Sequence, residues 1–320
     1  MVYTLGLLPL TAERKKLQAA KLASAPAYNI EYAWADYAEM PSLRWSSDFE
    51  DLLAQRSEMR EKYELAGYSL LPWRLFDALP HDRKKSNILT WDQGNRPSCS
   101  MHAAAHAYQA SELITMALGA PVLYDAVNPI YNFYLGRGGN YNGGLDLLTV
   151  ADEINGRGMF AVSDVGEDNI SVHGAGLEKE QDAKNHQAGI VSIEDDLEEN
   201  IIRVCMGLGA VCFGSGIYAT AATKDNNGIR VMNSFSRGGH AQAFFGYRMV
   251  GGTEYIWNQN SHGDRYGKTP NEPESGAWIT RRQLEMYCRD MANYGYPLAV
   301  FAECEPQTDT LPNTFQLPRL

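Results

Sequence analysis

The octet Asp92-Gln93-Gly94-Asn95-Arg96-Pro97-Ser98-Cys99 ends in a thiol, and no glycine or proline follows it until Gly119. Turn formers before Cys99 and an Ala-, Met- and Leu-rich run after it predict a loop feeding a helix of about five turns. Cys99 then falls in the first turn of that helix, at the positive end of the helix dipole. That setting stabilises a thiolate, which a free thiol near neutral pH forms only sparingly. Downstream, His240 lies in Gly239-His240-Ala241 and Asn260 in Gln259-Asn260-Ser261-His262-Gly263. Cys, His and Asn are the residue types of a thiol nucleophile, its base and the group that orients the base. Gln93 carries an amide donor six residues before the thiol. It is placed to hold an oxyanion together with the Cys99 backbone N–H.

Four segments resemble the papain-like cysteine peptidases, and together they span roughly Leu71 to Ala302. Gln93 to Cys99 resembles that family's Gln-Gly-x-Cys-Gly-Ser-Cys. Tyr141-Asn142-Gly143-Gly144 is similar to its Cys-Asn-Gly-Gly, whose glycines line the substrate cleft. Gly239-His240-Ala241 followed by Gly246-Tyr247 is similar to its His-Ala and Gly-Tyr pair. Tyr255 to Gly263, continuing through Tyr266-Gly267, resembles the strand that ends in Asn-Ser-Trp-Gly and leads on to Trp-Gly. The 141 residues from Cys99 to His240 also fall inside the roughly 130–150 of that family. The resemblance implies an α+β fold of two lobes, a helical lobe carrying the Cys helix and a β-rich lobe carrying His and Asn. It implies catalytic roles for Cys99, His240, Asn260 and Gln93, and substrate contacts at Gly143 and Gly144.

The sequence departs from the family at several points. Ser100 stands where an aromatic usually follows the nucleophile. His262 replaces the Trp after Asn-Ser, which weakens the apolar shield over the His–Asn bond. Arg96 and Tyr141 occupy two positions that form a disulfide in many members. Losing both partners removes the bridge without leaving a stray thiol, as expected of a reducing environment or a distant bacterial or phage-type branch.

Each candidate also has a plainer reading. A cysteine is often a small core residue, His240 could simply begin a strand, and Asn260 or Gly143-Gly144 could be turn formers. Order, spacing and the loop-to-helix setting favour the chemical reading. His102 and His106 have the i, i+4 spacing of metal ligands. No Glu follows His102 and no third ligand is evident, so both are read as packing or solvent-facing residues, with no metal and no cofactor.

A net charge of −11 argues against a nucleic-acid surface. There is no apolar run long enough to span a membrane, and residues 1–10 lack the basic start and long apolar stretch of a signal peptide. Five cysteines at low density fit free thiols rather than a disulfide scaffold. The expected location is cytoplasmic, or the virion if the chain is phage-encoded.

The chain is expected to divide into an N-terminal helical extension (1–68), a catalytic domain (69–304, with lobes meeting near 189/190) and an extended tail (305–320). Helices are predicted at 11–23, 47–67, 100–118, 129–135, 145–155 and 195–208. Strands are predicted at 210–217, 241–250, 254–258 and 298–304, with Gly251-Gly252 turning a hairpin. Residues 164–188 read as a surface insertion. The extension lacks the Glu-Arg-Phe-Asn helical pattern of papain-like prosegments, so it is expected to keep clear of Cys99, His240 and Gly144. Either end is a candidate surface for a protein partner. The expected function is a cysteine peptidase or amide hydrolase acting on a peptide or protein. The alternative is a catalytically reduced papain-fold structural or binding protein, such as a virion or assembly component.

Overall fold

Helix Cys99–Ala117 (α3) has all 19 of its residues buried, and the fold is organised around it. The structure, a computed structural model, describes residues 7, 11–14, 16, 47–118, 123–139, 143–167, 183, 186, 188–266, 269–291, 293–302 and 317–319. Within these, helices α1 (Ser47–Leu65) and α2 (Pro72–Ala78) precede α3. Helices α4 (Pro129–Gly136), α5 (Leu147–Asp152), which continues as a π turn to Arg157, and the short α6 (Val162–Val165) follow it. Then come strand β1 (Ala188–Ser192), helix α7 (Leu197–Met206), and strands β2 (Ala210–Lys224), β3 (Arg230–Val250), β4 (Thr253–Gln259) and β5 (Gly276–Thr280). Helix α8 (Arg281–Arg289) and strand β6 (Leu298–Ala302) close the described core.

The six strands form one sheet in the order β1-β6-β2-β3-β4-β5. It is antiparallel apart from a single parallel bridge, Val231 to Trp278. The chain is therefore α+β, as the resemblance implies. Period-two alternation sorts the side chains of the sheet. Ala210, Cys212, Ala241 and Ala243 share a core with α3, and their small size lets the helix approach closely. Val211, Phe213 and Phe244 join a second core with α1, α7 and α8. In that second core Phe49 of α1 meets Phe301 edge-on at 5.3 Å, and Leu53 packs where Gly207 offers no Cβ. The described helix of the extension thus covers the far face of the sheet. Each such buried apolar side chain contributes roughly 1.5–3 kcal/mol.

Most expected elements appear with shifted ends. Gly251 and Gly252 both have positive φ, 58° and 76°, and turn the β3–β4 hairpin between the paired Val250 and Thr253. Strand β3 differs more: it begins at Arg230, so His240 sits within the strand, opposite Ser215, and does not start it. Ser234 to Gly239 is polar and glycine-rich and carries no alternating apolar signal. Its pairing comes from the long partner β2, which the sequence reading ended at Ile217. The helix expected at 145–155 starts later because Asp146 is its N-cap, accepting from the Thr149 N–H at 2.9 Å. Strands β1 and β5 and helix α8 were not anticipated. Most of the helix expected at 11–23, the insertion at 164–188 and the tail at 305–320 lies outside the described residues. The tail's residues 317–319 are described and dock on the end of α1: Pro318 accepts from the Ser69 N–H at 2.8 Å, and the Arg319 guanidinium lies 4.4 Å from the Tyr68 ring centre.

Candidate active site

The helical side of the site is built from α3 and the loop before it. An Asx turn, in which Asp92 accepts from the Gly94 N–H at 2.9 Å, and a positive φ of 57° at Gly94 bend the chain toward the helix. Cys99 opens the helix and is buried. Two side chains one and two turns further on fix the loop. His102 Nδ1–H donates to the Ser98 carbonyl at 2.9 Å, and His106 Nε2 accepts from the Trp91 N–H at 2.9 Å. Gln109 accepts from Trp91 Nε1–H at 3.0 Å and donates to Leu89 O at 2.9 Å. Burial holds both histidines neutral, lowering His102 to about 4 and His106 to about 3. They are therefore buried braces of the loop that carries Gln93. The solvent-facing alternative does not hold, and the signal for bracing was a polar i, i+3 pair, His106 and Gln109, on an otherwise apolar helix.

On the sheet side, the directions of the hydrogen bonds determine the proton positions. Tyr266 Oη donates its single proton to the Ala219 carbonyl at 2.8 Å, so toward Asn260 it accepts, from Nδ2 at 2.6 Å. The amide of Asn260 is thereby turned so that Oδ1 faces His240 Nε2 at 2.8 Å. The same oxygen accepts from the Ser261 N–H at 2.7 Å. An acceptor at that distance requires Nε2 to carry a proton, which makes Nδ1 the basic nitrogen of the neutral ring. The Tyr266 position was noted in the sequence only as a substitute for Trp. A tryptophan N–H could not accept from the amide, so the tyrosine hydroxyl does what the indole cannot.

His262 takes the place of the expected shielding Trp. Its ring stacks on His240 with centres 4.4 Å apart and planes 23° apart, and Tyr218 meets both rings edge-on. The His–Asn bond is thus covered by an aromatic ring, one with nitrogens in place of hydrocarbon. The two sides are fastened together at Gln93. Its N–H donates to Ser261 O at 2.9 Å and its Oε1 accepts from Ser261 Oγ at 2.5 Å. Gln93 Nε2 donates to Arg96 O at 2.8 Å, which engages one of its two hydrogens.

Gly143 and Gly144, expected to line the substrate cleft, precede Leu145 and helix α5; Tyr141 and Asn142 lie outside the described residues. Gly143 has φ 77° and Gly144 is buried. Leu7 of the extension packs against chain neighbours of Gly144 and His240. Leu7 is buried and bridges Leu145 in parallel. A Cβ on Gly214 would come within 2.7 Å of Leu7 Cδ2, and one on Gly239, the neighbour of His240, within 2.8 Å of Leu7 O. Arg14 secures the same segment by donating to Asp146 Oδ1 at 2.9 Å and Thr149 Oγ1 at 2.7 Å. One leucine among several in the mildly apolar stretch of residues 1–10 gave no sign of this contact in the sequence, because its partners are 138 or more residues away.

The remaining described cysteines differ from Cys99 in setting. Burial pushes the thiols of Cys205, Cys212 and Cys288 well up, and for Cys212 the nearby Cys99 adds to the effect. Among the described residues no group of three or more His, Cys, Asp or Glu is placed to hold a metal ion. No helix among them is long and apolar enough to cross a membrane.

No family model matches the sequence, and no curated protein matches it. The chain is similar in structure to xylellain, a cysteine protease from Xylella fastidiosa, at 15% identity and a TM-score of 0.45, covering 72% of this chain and 89% of that one. It is similar to the proform of the ragweed pollen cysteine protease Amb a 11 at 14% identity and a TM-score of 0.49, covering 73% and 65%. It is also similar to proCathepsin B S9 from Trypanosoma congolense at 12% identity and a TM-score of 0.48, covering 92% and 99%.

Proposed function

We propose that this chain is a papain-like cysteine peptidase or amide hydrolase whose substrate is a peptide or protein. The observation that carries the reading is the one-way chain of hydrogen bonds from Ala219 through Tyr266 and Asn260 to His240, which makes Nδ1 the base. In the proposed reaction His240 takes the proton of Cys99 and the thiolate attacks the amide carbonyl. The Gln93 amide and the Cys99 N–H hold the oxyanion. The imidazolium of His240 then protonates the leaving amine, and the neutral ring next activates water to release the acyl group from sulfur. Gly143 and Gly144 let a peptide backbone approach the cleft. The scheme draws all its proton and electron movements from these side chains and needs no cofactor.

A second reading, a papain-fold binding or assembly protein with reduced catalysis, is favoured by one observation: Leu7 packs closely against Gly239, the neighbour of His240. A thiol probe separates the two. Iodoacetamide at neutral pH should label Cys99 well before Cys205, Cys212 or Cys288, at least in a Leu7→Gly variant, and labelling should abolish hydrolysis of fluorogenic peptide amides. Slow, unselective labelling together with no hydrolysis in that variant would rule out the peptidase.

A further inference from the structure

Away from the candidate active site, between α2 and the β2–β3 turn, lies a concavity of about 310 Å³ walled by Trp73 and Trp278. Four cations line it: Arg74, Lys224, Arg230 and Arg248. Such a concentration is unusual in a chain of net charge −11. Its one lining carboxylate, Glu272, is already saturated. Oε2 accepts from Arg230 Nε at 3.2 Å, Arg230 Nη2 at 3.1 Å and Thr269 Oγ1 at 2.9 Å, while Oε1 accepts from Trp278 Nε1–H at 2.8 Å. Asp225, next to Lys224 in the chain, accepts from the Tyr255 hydroxyl at 2.5 Å and from two backbone N–H groups.

Arg248 is left with less. Its guanidinium carbon lies over Trp278, 3.9 Å from the ring centre, and only reaches Glu272 at 4.0 Å. Its Nε is buried with no hydrogen-bond partner among the described residues. Lys224 is exposed at the rim, with no carboxylate within ion-pair distance among the described residues. Arg74 spends Nη1 on the Arg319 carbonyl at 2.9 Å. Two carboxylates, both heavily engaged, thus stand against four cations, and the unspent donors belong to a guanidinium and an ammonium that converge on one cup.

We infer that this cup is a binding site for a compact oxyanion of the phosphate class, with Arg248 and Lys224 as the principal donors. Guanidinium N–H groups match the spacing of phosphate oxygens, and an ammonium adds an orientable point charge. The tryptophan walls and the volume leave room for a small organic body on the phosphate. A bound anion would supply acceptors for the Arg248 Nε–H and for Lys224, the two groups left short. The site does not depend on the peptidase reading.

The test is calorimetric titration of the full-length chain with sodium phosphate and, separately, with O-phosphoserine, each against sodium chloride at matched ionic strength. Saturable phosphate binding that weakens about tenfold in Arg248→Gln, and by a similar factor in Lys224→Gln, is the expected result. Thermal unfolding in chloride is the check that both variants fold; Lys224 is exposed and Arg248 partly so. Tighter binding of O-phosphoserine than of phosphate would support the site and assign it to a phosphate ester; phosphate binding alone would support it for the free ion. Phosphate heats no larger than those of chloride, or variants that bind as the parent does, would overturn the inference. Cys99→Ala should leave the titration unchanged, so failure here is separate from failure of the peptidase reading.

Discussion

The two sides of the candidate site are held by different means. On the helical side, side chains grip backbone over short distances: His102 holds Ser98, His106 holds Trp91, and Gln93 holds Arg96. On the sheet side, side chains grip one another and the span is longer, with Tyr266 reaching both Asn260 and the Ala219 carbonyl. The helical side fixes where the Cys99 thiol and the Gln93 amide stand. The sheet side fixes which nitrogen of His240 carries the proton. The first is a matter of position and tolerates changes that keep the loop folded; the second depends on the direction of each bond and fails when one donor or acceptor is lost.

Cys99→Ala tests the comparison most severely. Turnover of a peptide amide should fall by roughly 10⁴-fold or more, while the thermal unfolding midpoint stays near that of the parent. Unchanged turnover would remove the helical side from the chemistry.

His106→Leu comes next. At pH 7 it leaves the buried Trp91 N–H without an acceptor, which should cost about 1–3 kcal/mol of stability. The pH dependence has a definite sign. His106 in the fold sits at about 3, below its ordinary 6.5, so the unfolded chain binds the proton more readily. The brace is fully present above about pH 6.5 and is lost as pH falls from there toward 3. The gap between parent and variant in urea unfolding should therefore narrow over that window. A gap that widens toward acid would contradict a neutral, bracing His106.

Tyr266→Phe tests the sheet side. It removes the acceptor that orients Asn260, and kcat should fall about tenfold, ~1.4 kcal/mol, with KM nearly unchanged. Nitrogen NMR of the His240 ring should show the Nε2–H form losing population in the same variant. If KM rises and kcat holds, Tyr266 contacts substrate and does not set the tautomer. Asn260→Ala should act in the same direction.

The smallest effect is expected for His262→Trp. Stacking of an aromatic ring on His240 is retained, and aromatic contacts of this kind are worth about 0.5–1.5 kcal/mol. Turnover should change less than about threefold, whereas His262→Ala should lose more. Equal losses in both would mean that the ring nitrogens of His262, and not its shape, matter.

Several features were legible from neighbouring residues alone. Helix α3 was readable because a turn-rich octet is followed by a long run free of glycine and proline. The Gly251-Gly252 hairpin was readable because only positive φ turns two strands so tightly. The chain order of Cys99, His240 and Asn260 was readable because residue type and spacing carry it. The start of β3 was not readable: Ser234 to Gly239 has no strand pattern of its own and is extended because β2 lies beside it.

The sequence by itself determined the loop-to-helix setting of Cys99 and the candidates Gln93, His240 and Asn260, which follow from local propensity and residue chemistry; the α+β class came from the resemblance of four short motifs to a known family. Only the tertiary structure decided the proton on His240 Nε2, the bracing work of His106 and the seat of Leu7 beside Gly239. It also decided the convergence of Arg248 and Lys224 on one cup. Each of these depends on the direction of a hydrogen bond or on the closeness of groups far apart in the chain, and those are fixed only when the helix and the sheet pack against each other.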